Sequence, residues 1–206
     1  QLENKMRMSE LFPIPVATYE MPTLDKKQKS WLSDQPTITN VGNRITKNKN
    51  LLDEDFMSPV KERIEMFLAE YYRQTISNSN EIKLRITQSW CNYAGRGESH
   101  HKHHHPNSIL SGVYYVQTND EDKIYFYNEK LMNSTFSVST TEYNRYNSET
   151  WWIPTDENSL VLFPSDLRHS VESRNTDGPD RISLSFNTFY TGSIGDKKTA
   201  SLLSLP

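Results

Sequence analysis

Apolar residues recur at helical spacing just after the Ser-Pro pair at residues 58 and 59. Serine is a common N-cap, and proline is well tolerated at the first position of a helix. The apolar positions that follow are Val60, Ile64, Phe67 and Tyr71. This pattern predicts an amphipathic helix over Pro59–Ile76 that covers one face of a sheet.

From Glu81 onward, apolar and polar residues alternate in short runs, which is the period of a half-buried β-strand. Several short strands with turn residues between them are typical of a β-sandwich or a jelly roll, not of strand–helix repeats. Strands are predicted over Ile82–Tyr93, Ile109–Gln117, Lys123–Tyr127, Ser159–Phe163 and Arg181–Tyr190. Two weaker candidates, Phe136–Ser139 and Thr150–Ile153, predict a hairpin inside the long connection Asn128–Asn158.

The chain of 206 residues has the length of one domain. Residues 8–80 form a predicted N-terminal decoration that contains the helix, an extended opening segment at Leu11–Tyr19 and a polar connection at Met21–Asn50. Residues 81–190 form the predicted β core. The weakly patterned tail, residues 191–206, is expected to be peripheral.

Composition excludes some classes of function. A net charge of −3, with both signs mixed along the chain, gives no electrostatic basis for binding nucleic acid or an anionic membrane. No apolar run approaches the roughly 20 residues that span a bilayer, and residues 1–20 lack a signal-peptide core. Cys91 is the single cysteine, so an internal disulfide is excluded. We expect a cytoplasmic protein, of open oligomeric state, with a small-molecule or peptide or protein substrate.

Five of the six histidines lie in one run, His100–His105, and the sixth is His169. Neutral imidazole binds transition metals well, so the run predicts a metal centre. Residues i and i+2 of a strand share a face, so spacing alone allows either His101 with His103 or His103 with His105. His169 follows a predicted strand and is the third candidate ligand. Three protein ligands would leave metal positions open for substrate and dioxygen.

A candidate anion site accompanies the histidines. Arg181 opens the last predicted strand, and an arginine that points into a barrel needs an anionic partner because burial of an unpaired charge is costly. The planar guanidinium suits a carboxylate. Tyr93 and Tyr115 lie on strands that flank the histidine run, and each could place a phenol beside the same anion. Together these residues predict a metal beside a carboxylate-binding pocket.

This half of the chain resembles the 2-oxoglutarate- and Fe(II)-dependent oxygenases, in particular their prolyl-hydroxylase-like branch and a group of small oxygenases of bacteria and cyanophages. The resemblance covers about Ser89 to Tyr190, and the opening LFPIPV from Leu11 is also similar. Its motifs are HHHPNS from His103, SGVYYV from Ser111, FPSDLRHSV from Phe163 and RISLSF from Arg181. The resemblance implies a mainly β protein with a double-stranded β-helix, which is a cupin-like jelly roll, and a flanking N-terminal helix.

The resemblance also implies roles for individual residues. The implied metal ligands are His103, His105 and His169, which favours the later of the two histidine pairs. The implied 2-oxoglutarate contacts are Arg181, Tyr93 and Tyr115, with Arg181 on the carboxylate far from the metal. No separate catalytic residue is implied beyond these ligands.

One position departs from the prolyl-hydroxylase pattern, because His105 stands where most of the family has an iron-binding aspartate. Three neutral imidazoles leave the ion its full double charge. Asp166 and Glu98 are the nearby residues that could supply a carboxylate instead.

The predicted activity is therefore that of a dioxygenase that uses Fe(II) and 2-oxoglutarate, with ascorbate as reductant, to hydroxylate a C–H bond. By resemblance, the default substrate is a peptidyl proline. It would enter over Met21–Asn50 and Asn128–Asn158, the latter with the pair Trp151-Trp152. Two alternatives stay open. A cupin-like three-histidine dioxygenase without 2-oxoglutarate explains His105 but gives Arg181 no role, and a non-catalytic module with structural zinc predicts a closed tetrahedral site.

Overall fold

The computed structural model describes residues 6–78, 81–133 and 135–206. The first five residues and the predicted domain boundary at residue 80 lie outside the described residues. The α-helices are α1 Lys26–Ser33, α2 Ser58–Thr75 and α3 Glu129–Met132, and short 3-10 helices span Leu51–Asp53, Asp55–Met57 and Lys197–Thr199.

Two antiparallel β-sheets form the body of the protein. The strands are β1 Ala17–Glu20, β2 Thr37–Thr39, β3 Arg44–Thr46, β4 Ile82–Ala94, β5 His100–His103, β6 Leu110–Gln117, β7 Lys123–Tyr127, β8 Thr150–Pro154, β9 Ser159–Pro164, β10 His169–Val171, β11 Arg181–Ile194 and β12 Leu203–Leu205. The larger sheet has the strand order β1-β9-β6-β11-β4-β3-β2, with β12 paired to β11, and the smaller sheet has the order β5-β10-β7-β8. The predicted double-stranded β-helix is confirmed.

The larger sheet is covered on both faces. On its outer face, Tyr114, Leu184 and Phe186 pack in one apolar cluster with Ile64 and Leu68 of α2. On its inner face, a second cluster joins the two sheets through Val113, Tyr115, Ile124, Phe126, Val161 and Phe163. Because both faces are buried, strands β6 and β9 lack the alternation of a half-exposed strand.

Helix α2 confirms the predicted amphipathic helix, with one difference at its start. Ser58 is the first helical residue rather than a capping residue, because the 3-10 turn Asp55–Met57 leads directly into the helix. Within the predicted polar connection Met21–Asn50, the structure contains α1, β2 and β3. The missed sequence signal was a capping box, in which Asp25 accepts a hydrogen bond from the backbone N–H of Gln28 at 2.8 Å.

The predicted hairpin in the long connection is wrong. Residues 136–139 form no strand, and Phe136 and Val138 are 83% and 80% exposed, so their apolar alternation does not mark a buried face. Strand β8 pairs instead with β7, with Trp152 opposite Tyr125. The tail also joins the fold, because β11 continues to Ile194 and β12 pairs with it. No helix in the described part of the chain is long and apolar enough to cross a membrane.

Candidate metal centre

Three histidines converge between the two sheets. His103 on β5 and His169 on β10 are directly opposite each other in the antiparallel ladder, so their side chains share one face. His105 lies two residues beyond the end of β5, and its backbone N–H donates to the carbonyl of Ser165 at 2.9 Å. One ring nitrogen from each of the three lies within 4.8 Å of the others. His101 and His104 are exposed and do not belong to this cluster.

Hydrogen bonds set the orientation of the rings. Nδ1 of His103 lies 2.7 Å from the carbonyl oxygen of His101, and Nδ1 of His169 lies 2.9 Å from that of Leu167. A carbonyl only accepts, so both Nδ1 atoms carry the proton and both Nε2 atoms keep a lone pair. Asn187 lies close enough to His105 to raise its pKa, against the larger effect of burial. The two Nδ1 contacts direct the lone pairs of His103 and His169 toward a shared point.

The spacing of the nitrogens fits a transition-metal ion. Nε2 of His105 and Nε2 of His169 are 3.2 Å apart. Metal–imidazole bonds of about 2.0–2.1 Å separate two ligand nitrogens by about 2.9 Å at right angles and about 3.4 Å in a tetrahedron. At this distance the two nitrogens can share either a proton or a metal ion, and with His103 beside them they form a donor set for a cation.

Burial keeps the cluster neutral. It lowers the pKa of His105 to about 4 and the pKa of His169 well below its usual value, and neighbouring histidines add to both effects. Burial also lowers the pKa of His103. Neutral imidazole is the form that binds metal, so the three side chains are ready to coordinate at neutral pH.

Carboxylates do not join the cluster in the described residues. Glu98 accepts a hydrogen bond from the backbone N–H of Gly95 at 2.7 Å and lies 3.6 Å from Arg44, and Asp166 is exposed. His105 therefore stands in place of a carboxylate, and neither of the two nearby acids compensates for it at the metal.

A polar pocket adjoins the histidines. Alternate residues of β11 line it, so that Arg181, Ser183 and Ser185 face the same cavity as the three histidines. Arg181 is buried, and its Nη1 donates to Oδ1 of Asp122 at 2.9 Å. The cavity has a volume of about 20 Å³, which is room for about one water molecule.

Tyr115 faces this pocket, as predicted from its strand. Its hydroxyl is buried and has no hydrogen-bond partner among the described residues. Burial raises the pKa of Tyr115, while the positive charge of Arg181 lowers it, which places the phenol within electrostatic reach of the guanidinium. A buried hydroxyl without a partner is costly, so the pocket offers a donor to a bound anion.

The prediction for Tyr93 is wrong. Its ring lies on the opposite face of β4, in the cluster under the helices, and its hydroxyl donates to the carbonyl of Leu32. Successive strand residues point to opposite faces, so it is Asn92 that lines the pocket. The amide of Asn92 donates to Ser185 at 2.9 Å, and its Oδ1 is buried without a partner in the part of the chain that is described.

Sequence reasoning also missed His100 and Asp122. The ring of His100 stacks on that of His103 with a centroid distance of 4.1 Å, and it lines the cavity. The available signal was its place in the histidine run. Asp122 gave no signal, because its partner Arg181 is 59 positions away and only the fold joins them.

A larger groove of about 690 Å³ lies beside strands β7 and β8. Its walls include Phe126, whose ring also contacts that of His169 with a centroid distance of 6.2 Å. Trp151 lines the groove, whereas Trp152 lies under Lys123, whose Nζ is 4.4 Å from its ring centroid. The predicted pair of tryptophans is thus divided between the two faces of β8.

Residues 88–187 match the sequence model of a protein family described as "Putative 2OG-Fe(II) oxygenase". This segment contains the three histidines, Tyr115 and Arg181. Residues 88–187 therefore belong to the 2-oxoglutarate- and Fe(II)-dependent oxygenases. The oxygenase is accordingly an enzyme that uses Fe(II) and 2-oxoglutarate, and the histidine cluster fits the metal that this chemistry requires. Among curated protein sequences, none matches the chain.

Solved structures of similar shape agree with the fold. HygX from Streptomyces hygroscopicus, crystallised with nickel, 2-oxoglutarate and hygromycin B, is 12% identical with a TM-score of 0.54, over 85% of this chain and 82% of its own. An oxidoreductase of the 2OG-Fe(II) oxygenase family from Burkholderia pseudomallei is 10% identical with a TM-score of 0.53, over 83% of each chain. The α-ketoglutarate-dependent epimerase SnoN from nogalamycin biosynthesis is 14% identical with a TM-score of 0.55, over 89% of this chain and 82% of its own. At these identities, the likeness concerns the fold. The prolyl-hydroxylase and cyanophage parts of the resemblance stay predictions.

Proposed function

We propose that the oxygenase hydroxylates a C–H bond of a small molecule or peptide, with Fe(II) held by His103, His105 and His169. The observation that carries this proposal is one cavity that combines three convergent histidines with a buried arginine and an unpartnered phenol. When bound, Fe(II) and 2-oxoglutarate supply oxidative decarboxylation to succinate and activation of dioxygen.

The residues of the chain divide this work. Neutral imidazoles hold the metal by their Nε2 atoms. Arg181 and Tyr115 bind the carboxylate of 2-oxoglutarate that is far from the metal, because guanidinium and phenol both donate to such an anion. Asn92, which lines the same cavity, takes the place that the sequence prediction gave to Tyr93. The cavity is smaller than 2-oxoglutarate, so its lining side chains move when the co-substrate binds.

His105 changes the electrostatics of the site. An aspartate ligand would cancel one of the two positive charges of Fe(II), whereas three imidazoles cancel none. The dianionic co-substrate then becomes the first negative group at the metal. We therefore expect 2-oxoglutarate to bind much more tightly to the metal-loaded enzyme than to the metal-free one.

The substrate is proposed to bind in the groove beside β7 and β8, because Phe126 contacts both this groove and His169. Its lining is largely apolar, and its polar residues include Arg145 and Tyr146, which pair with Glu10 at 3.3 Å and 2.8 Å. HygX, in the structure with hygromycin B, accommodates a small molecule. A peptidyl proline is the first peptide to test, on the prolyl-hydroxylase resemblance. We also propose cytoplasmic action, since Cys91 is a free, buried thiol, with ascorbate as reductant. The proposal includes no nucleic-acid or membrane partner, because the net charge of −3 offers no electrostatic basis for one.

The proposal is tested by succinate release from 2-oxoglutarate in the presence of Fe(II) and ascorbate, without a prime substrate. Arg181→Ala should abolish most of the release and weaken 2-oxoglutarate binding, while metal binding persists. Arg168→Ala is a matched control, because Arg168 is partly exposed and pairs with Glu129 at 2.6 Å. Metal binding without any 2-oxoglutarate binding in the parent enzyme would instead support the cupin-like alternative.

A further inference from the structure

Asp122 and Arg181 form an ion pair that is buried on both sides. Asp122 directly precedes β7 and Arg181 opens β11, so the pair joins the two sheets. Nη1 of Arg181 lies 2.9 Å from Oδ1 of Asp122, and the side chains are 7% and 3% exposed. Among the ion pairs of the described residues, it is the one in which both partners are buried. Taking two charges out of water costs free energy, so stability alone does not explain a buried pair, and a functional role is the more direct explanation.

The carboxylate of Asp122 is fixed from its other side. Its Oδ2 accepts from the backbone N–H of Asn119 at 2.9 Å and from Nδ2 of Asn119 at 3.4 Å. The backbone of Asp122 is held as well, because its carbonyl accepts from the N–H of Thr155 at 3.1 Å. Asp122 therefore has a defined position without any help from Arg181, and it can impose that position on the longer, more flexible arginine.

Among the described residues, the contact with Asp122 uses one of the five N–H donors of the guanidinium, which leaves donors for a second carboxylate. The negative charge of Asp122 also matters for the metal. Three neutral imidazoles leave the cation uncompensated, and Arg181 lines the same cavity as they do. An unpaired guanidinium there would repel the metal, and Asp122 neutralises it.

We propose that Asp122 is a positioning residue that fixes the guanidinium of Arg181 at a set distance from the metal. The proposal rests on the function proposed above. When the distance between the guanidinium and the metal is fixed, a diacid that contacts both must have the matching length. Asp122 thereby makes the site selective for a 2-oxo diacid of five carbons over its shorter and longer homologues.

Calorimetric titration of the Mn(II)-loaded enzyme without oxygen tests this selectivity with oxaloacetate, 2-oxoglutarate and 2-oxoadipate. All three are dianions, so a change in the charge of the site affects them alike and cancels in the ratio of their affinities. A fitted site discriminates one methylene by about 10- to 200-fold, and we expect the parent enzyme to favour 2-oxoglutarate within that range. In Asp122→Asn, this preference should fall about fivefold or more. Mn(II) binding should also weaken in this variant, because Arg181 is then unpaired.

Two further variants separate positioning from charge and from folding. Asp122→Glu keeps every charge but shifts the carboxylate by one methylene, so it should lower the preference for 2-oxoglutarate and leave Mn(II) affinity unchanged. Asp180→Asn makes the same charge change beside Arg181, at a partly exposed residue that pairs with Arg44 at 2.6 Å. It should change neither quantity.

The outcomes distinguish this inference from the proposed function. If the parent enzyme binds Mn(II) but none of the three diacids, the proposed function is overturned, and the role of Asp122 with it. If the parent enzyme is selective and both Asp122→Asn and Asp122→Glu keep the same selectivity, the positioning role alone is overturned.

Discussion

Replacement of either of two tyrosines by phenylalanine should produce opposite phenotypes, although their strands are neighbours of β11 in one sheet. The hydroxyl of Tyr93 donates to the buried carbonyl of Leu32, and that of Tyr115 has no partner among the described residues. Tyr93→Phe therefore removes a hydrogen bond that stabilises the fold. Tyr115→Phe removes a hydroxyl whose burial costs free energy until an anion binds beside it.

The expected magnitudes follow from the contacts. A buried carbonyl left unpaired costs about 1–3 kcal/mol, which for a chain of this size lowers the melting temperature by about 2–12 °C in Tyr93→Phe. Tyr115→Phe should melt at the parent temperature or slightly above it. A hydrogen bond to a charged group contributes about 1.5–3 kcal/mol, so Tyr115→Phe should weaken 2-oxoglutarate binding by about 10- to 150-fold.

Two measurements on each variant complete the test: thermal unfolding of the metal-loaded protein, and 2-oxoglutarate titration of the Mn(II) form without oxygen. Tyr93→Phe should bind 2-oxoglutarate with the parent affinity. The assignment of faces on β4 and β6 is refuted if Tyr93→Phe loses co-substrate affinity while Tyr115→Phe keeps it.

Three other expectations concern the metal centre. His103→Ala should lose most Mn(II) affinity whereas His104→Ala, at an exposed position, should not, and equal losses in a metal titration would contradict the cluster described here. His105→Asp should keep metal and 2-oxoglutarate binding, because it restores the usual ligand set, but a variant that binds both and shows no succinate formation would mean that the imidazole itself is required. Burial lowers the pKa of His100 to about 3 and that of His105 to about 4. As the pH falls below about 6.5, these two histidines take up protons in the unfolded chain but not in the folded one, which favours unfolding. The metal-free protein should therefore melt at progressively lower temperature from pH 7 to pH 4.5, and a constant melting temperature would argue against burial of these rings.

Local pattern determined helix α2, the longer strands and the residue types of the candidate site. The spacing of apolar residues after Ser58 is enough to define α2, since a helical stripe needs only its own residues. The period of two and the turn residues between runs likewise identified the strands of a jelly roll. The histidine run and Arg181 were recognisable because such residues are costly inside a β core unless they bind something.

Tertiary structure decided which face each residue points to and which distant residues meet. Strand β4 is buried on both faces near its end, so no contrast of polar and apolar residues distinguishes Tyr93 from Asn92, and the resemblance alone gave the wrong one. The choice of His103 with His105 depends on the pairing of His103 with His169 across two strands that are 66 positions apart. The contact of Asp122 with Arg181 depends on how β7 and β11 are placed in two sheets, which neither local sequence contains. Periodicity along the chain determines local helices and strands, because it depends only on neighbouring residues. The binding site depends on contacts between distant strands, and these form only when the two sheets pack together.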